Sequence, residues 1–233
     1  MQSSNLDFHL PTPATRRFAG FLLAACSLLT LVAVSHHPTV RGVHGTAALE
    51  AIARLGASDR LVHGALILLF SSMLFSLTVH TISGSRTLHL GVTAWVAFLV
   101  AYLAVLGAML IDGFFVPAYA ERALHLNAAD TAPAMAVLNA AAVAIQISTK
   151  LGFVALGVAV LLWSFDLLAD NGQRRVVGIV GLLAATAVVV LVLVESALNP
   201  HSLLIIIGVQ AVWFLGLGWV MFAPAPGSNS TAP

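Results

Sequence analysis

Charge is what this sequence has least of. Only 8% of its 233 residues are Asp, Glu, Lys or Arg, against 60% hydrophobic, a balance that excludes an ordinary soluble domain. The ten basic and nine acidic residues nearly cancel and form no basic block, so no nucleic-acid partner is expected. Cysteine is almost missing too. Cys26 alone can close no intramolecular disulfide and build no thiolate metal site. The apolar runs lack the period-two alternation of barrel strands. Motifs of fixed mechanism, His-Glu-x-x-His among them, are not found, and no clear internal repeat marks a transporter of inverted halves.

What remains is long apolar sequence, with the lipid bilayer as the expected surroundings. Six stretches stand out, at residues 18–34, 61–79, 90–111, 134–168, 176–198 and 203–222. Most approach the ~20 residues that cross ~30 Å of hydrocarbon. Backbone groups in lipid must be satisfied within the segment, so each is read as a helix. The expected fold is all-α: a polytopic transmembrane bundle of six spans over residues 16–222, with disordered cytoplasmic tails at 1–15 and 223–233, which are rich in Pro, Ser, Asn and Thr. The fourth stretch is too long for one crossing. With Trp163 and Asp166 at one interface, residues 134–145 extend beyond the membrane. Between the first two spans, Thr46 is expected to cap a short helix ending near Leu55, supported by Glu50 and Arg54 at i, i+4. Arg16-Arg17 before an apolar run has the look of a signal peptide, and Leu23-Ala24-Ala25-Cys26 that of a lipoprotein box. The run continues to Val34, which favours an uncleaved span.

Orientation is read from Arg16, Arg17, Arg86, Arg174 and Arg175, packed into short segments on one side, against Arg41, Arg54, Arg60 and Arg122 on the other. The first side is taken as cytoplasmic, which places both termini there, in a bacterial inner membrane. On that topology His36, His37, His44, His63, His125 and His201 fall in the outer layer, joined by Asp112 and Glu195. Imidazole with carboxylate is a ligand set for zinc, copper or iron, assembled in bundles from several helices at one depth. His36, His63, Asp112 and His201 are the candidate metal ligands. Histidines that merely sit among headgroups are the competing reading. Haem fits less well, because His63 and His80 lie roughly 100° apart around their helix.

The fourth span carries Asn139, Gln146 and Lys150 on one face. A lysine at membrane depth is costly unless it faces protein or water, so a buried polar network is expected in which Lys150 meets Glu195 or Asp112. Snorkelling to the interface is the alternative. Ala140, Ala144, Ser148 and Gly152 form a stripe of small residues suited to close helix packing.

The order of His36-His37-Pro38 after the first span, Leu61-Val62-His63-Gly64 opening the second, and Asp112-Gly113-Phe114-Phe115-Val116-Pro117-Ala118 closing the third resembles small multi-pass bacterial membrane proteins of unknown function. The resemblance covers most of residues 16–222 and implies a fold, not a reaction. Three classes of function stay open: a metal-dependent or redox membrane enzyme, a small-solute transporter or channel, and a non-catalytic subunit of a membrane complex. Homo-oligomerisation is compatible with all three.

Overall fold

The computed structural model describes residues 11–40, 42–125 and 131–222. Most of the two expected tails, residues 1–10 and 223–233, lies outside the described residues. The rest is helical, with no strand among the described residues: α1 (Pro13–Ser35), α2 (Thr46–Gly84), α3 (Leu88–Leu110), a π-helical turn (Ile111–Phe115), α4 (Val116–Ala123), α5 (Thr131–Leu168), α6 (Gln173–Val194) and α7 (Pro200–Phe222). Six helical segments are long and apolar enough to cross a membrane, α3 and α4 counting as one. That fits a multi-pass membrane protein.

The six close into a ring. Each packs on its neighbours in chain order, α1 on α2, α2 on α3, α3 on α5, α5 on α6 and α6 on α7, and α7 returns to α1. Closure at the α1–α7 seam depends on glycine: a Cβ at Gly20 would stand 2.7 Å from the Gly218 carbonyl oxygen, and one at Gly218 equally close to Gly20. Small residues at such crossings let backbones approach where lipid removes the hydrophobic driving force. Inside the ring, Trp163 stacks on Trp213 with centroids 6.1 Å apart, and Phe98 and Leu217 pack into the same core. Outside it, Phe18, Phe21, Leu183, Leu193 and Val194 are exposed, the inverse of a soluble surface and the pattern expected of a lipid-facing belt.

Several local features differ from expectation. The short helix from Thr46 is no separate element: it runs without a break into the second span, because Gly56 is the strongest breaker in its path and is packed against Pro117. The N-cap is Gly45 rather than Thr46, with no side-chain cap bond. Trp163 is fully buried inside the bundle, while Trp219 is exposed and donates to Gln173. The connection after Asp112 is largely helical, and α4 packs on the first turns of α2 and on α5 through Leu49, Ala120, Ala123, Ala134 and Leu138. That small second core caps one end of the bundle, the end that carries His37 and His63.

At the opposite end the chain is tied by ions. Asp166 is buried and accepts from the Arg86 and Thr87 backbone N–H groups and from the Thr87 hydroxyl. Arg174 pairs with Asp170 and donates to the Gly84 carbonyl, and Arg86 pairs with the same Asp170. Arg16 donates to the Val220 carbonyl. Three of the five arginines used to read orientation therefore sit at this one end.

Candidate metal centre

Three elements deliver the central side chains. His63 lies on α2, one turn after Asp59. Its Nδ1 is 2.9 Å from the Asp59 carbonyl oxygen and 3.1 Å from the Asp59 carboxylate. A carbonyl can only accept, so Nδ1 carries the proton, and Nε2 is the nitrogen that offers a lone pair whenever the ring is neutral. Asp112 comes from the π-helical turn. Pro117 has no N–H, and its ring would collide with the carbonyl four residues back, at Gly113. The helix widens there, and Val116 donates to Ile111 five residues behind it. Such single π-turns re-aim side chains and recur at functional sites. Gly113, within the turn, lies directly against the His63 ring, leaving no room for a Cβ. His37 follows the end of α1, ahead of Pro38, which favours an extended backbone at His37.

These side chains converge on one point. His37 Nε2 is 3.2 Å from His63 Nε2, His63 Nε2 is 3.3 Å from the Asp112 carboxylate, and His37 Nε2 is 3.7 Å from the same oxygen. Zinc–nitrogen and zinc–oxygen bonds of ~2.0–2.2 Å in a tetrahedron set ligand atoms about 3.3–3.6 Å apart. The observed triangle lies within about 0.1 Å of the edges of such a face. His37, His63 and Asp59 also place ligand atoms within 4.8 Å of one another. Because Asp59 lies on the Nδ1 side of His63, its natural role is to orient that ring rather than to share its Nε2 ligand position. His63 is almost wholly buried, and Asp112 is one-third exposed.

The remaining expected residues are placed elsewhere. His36 turns back on its own helix: its Nδ1 lies 2.9 Å from the Val32 carbonyl, capping the end of α1. His37, one residue on, occupies the position expected of it. His201 is exposed at the start of α7, where its backbone N–H donates to Asn199, the N-cap of that helix. Lys150 does bond at Glu195, but through the backbone. Its ammonium donates to the Glu195 carbonyl at 2.6 Å and the Ser196 carbonyl at 3.0 Å, the carbonyls that the end of α6 leaves open. Gln146 exchanges two 2.9 Å hydrogen bonds with the Leu198 backbone. Asn139 is exposed, apart from both. The polar face of α5 thus splices the α6–α7 connection to the bundle.

The two groups of residues meet across a cavity of about 220 Å³, which His37, His63 and Asp112 line on one side and Gln146, Leu198 and Pro200 on another. Its remaining walls include Phe70, Val105, Phe153 and Ile207. Sequence reasoning placed His37 in the right layer but chose His36 as the ligand, and it missed Asp59. Asp59 could have been found, since an aspartate four residues before a histidine on a helix is a ready orienting partner.

No family model, curated protein or solved structure matches the chain. No family is identified by the resemblance seen in its sequence. What stands is a multi-pass helical chain with a histidine–aspartate cluster able to hold a metal ion.

Proposed function

We propose that this chain is a membrane-embedded metalloprotein whose ion is held by His37 Nε2, His63 Nε2 and an Asp112 oxygen, with Asp59 orienting His63. The carrying observation is the triangle of 3.2, 3.3 and 3.7 Å. It brings two imidazole nitrogens and a carboxylate oxygen to a single space, where a cation can replace the protons that otherwise bridge them. Zinc suits two imidazoles and one carboxylate best, with copper or iron as further occupants of the same set. Three protein ligands leave a fourth position open, the arrangement of catalytic rather than structural zinc. This supports a metal-dependent membrane enzyme over a transporter or an accessory subunit.

The same reading places the chain in a bacterial inner membrane, both termini cytoplasmic and the metal at the outer end. Arg16, Arg86 and Arg174 at the opposite end support that orientation. The test of function is metal content of the purified protein by mass spectrometry, with a cobalt-substituted spectrum to report geometry. One ion per chain, lost in His37→Ala, His63→Ala and Asp112→Asn, is expected. Equal content in wild type and all three variants, or none in any, removes the site as a metal centre. Reporter fusions after Ser85 and within residues 46–55 test orientation separately.

A further inference from the structure

The cavity beside the cluster is larger than an ion requires. At about 220 Å³ it exceeds the ~150 Å³ dry cavity that accepts benzene inside an engineered protein. Besides the cluster its polar lining is Thr39, Gln146 and Thr149, while Phe70, Phe153 and Ile207 are among the apolar residues that make up most of its wall. Gln146 adds little free polarity, since both its amide oxygen and nitrogen are engaged by Leu198. Beyond Phe70 and Ile207 lies a second space of only about 20 Å³, room for one water. The cavity is therefore mainly apolar, with the cluster in its wall and little volume beyond Phe70 and Ile207.

We propose that the cavity holds the alkyl or aryl group of a small amphiphile whose oxygen-bearing head takes the open coordination position of the ion. This rests on the metal reading, because the ion is the anchor for the head. A purely polar solute would find few partners along those walls. A bare hydrocarbon would leave the open metal position unused. The shape selects a molecule with one oxygen donor group and one apolar group of limited length.

Alkyl hydroxamates, which chelate zinc through oxygen, are the probe. Their binding to the metal-loaded full-length protein is measured by calorimetry in one detergent, with two-, eight- and sixteen-carbon chains. Burying each methylene strengthens binding about fourfold, so an eight-carbon probe that buries only three of its six extra methylenes is expected to bind about sixtyfold tighter than the two-carbon one. The sixteen-carbon probe should gain nothing further, because the space beyond Phe70 and Ile207 is only about 20 Å³. Ala108 and Thr149 line the cavity without belonging to the cluster. Ala108→Phe and Thr149→Phe, either of which suffices if the other fails to fold, should keep the metal and abolish the chain-length gain. Metal-loaded protein that binds the two- and eight-carbon probes within twofold overturns this inference and leaves the metal reading standing. So does a chain-length gain that survives in the filled variants, since it then reflects detergent partitioning. Absence of metal from wild type overturns both and is recognised from metal content alone.

Discussion

Gly113 touches His63 so closely that a methyl group on its α carbon would overlap the imidazole. The contact joins the π-helical turn to α2 and fixes the distance from Asp112 to the ring. Gly113→Ala is therefore expected to push His63 aside and weaken metal binding at least tenfold. Gly107, one turn before the π-turn with no neighbouring atom within 4 Å of an added Cβ, supplies the control. Gly107→Ala should bind metal normally and melt slightly higher, since alanine in a helix interior is favoured over glycine by ~1 kcal/mol. Titration with zinc and a competing chelator measures both. Normal affinity in Gly113→Ala would show that the π-turn does not position the site.

His36 and His37 are adjacent and chemically identical, yet only His37 reaches the cluster. His37→Ala should lose metal and His36→Ala should retain it. The cost of His36→Ala is expected to be about 1 kcal/mol of stability, from one lost bond to the Val32 carbonyl. Metal stoichiometry and melting temperature separate the two effects. Loss of metal from both variants would mean that the end of α1 rearranges on binding.

The spans are legible in the sequence because hydropathy over ~20 residues survives any detail of packing. The site is legible only as a layer. Choosing between His36 and His37 requires knowing where α1 stops, which is settled by a single hydrogen bond and by Pro38. Asp112 could be ranked as a candidate, but its aim depends on the π-turn, which follows from Pro117 and Gly113 rather than from hydropathy. The α5 face was visible in the spacing of Gln146 and Lys150. Its partners were not, because backbone carbonyls and amides of Glu195, Ser196 and Leu198 carry no side-chain signature.

Metal binding should weaken on acidification. A protonated imidazole cannot ligate, and two histidines face the ion, so protons compete with the metal and affinity falls as pH drops. Where both rings must give up a proton to bind, affinity should fall by up to about a hundredfold per pH unit. A chelator competition series between pH 5 and 8 measures the slope. A flat profile would rule out histidine ligation.

Lys150 grips the end of α6 through main-chain oxygens, so the Glu195 carboxylate is not its partner. Lys150→Met is expected to lower stability by ~1.5–3 kcal/mol, the usual worth of a hydrogen bond to a charged group. Glu195→Gln should be nearly neutral, and the double mutant should show effects that add. Thermal melts in detergent complete the cycle. A coupling above about 1 kcal/mol between the two side chains would restore the ion pair.

Two buried or half-buried aspartates at opposite ends of the bundle look alike in sequence and should behave differently. Asp166 has both carboxylate oxygens occupied by three donors, the backbone N–H groups of Arg86 and Thr87 at 2.9 and 3.0 Å and the Thr87 hydroxyl at 2.8 Å. It holds the turn between α2 and α3, and nothing of its charge is left for an ion. Asp112 faces two imidazole nitrogens beside a cavity and is part exposed. Asp166→Ala leaves three donors without their acceptor and is expected to cost about 3 kcal/mol or more, seen as a clear fall in melting temperature. Metal content should stay at the wild-type level in the fraction that remains folded. Asp112→Asn should do the reverse, losing the ion while the metal-free protein melts close to metal-free wild type. The comparison must be made without metal, because an ion that binds only the folded chain raises the melting point of wild type by linkage. If Asp166→Ala loses the ion as readily as Asp112→Asn does, the two ends of the bundle are coupled, and the division of labour between a structural and a metal-binding carboxylate fails.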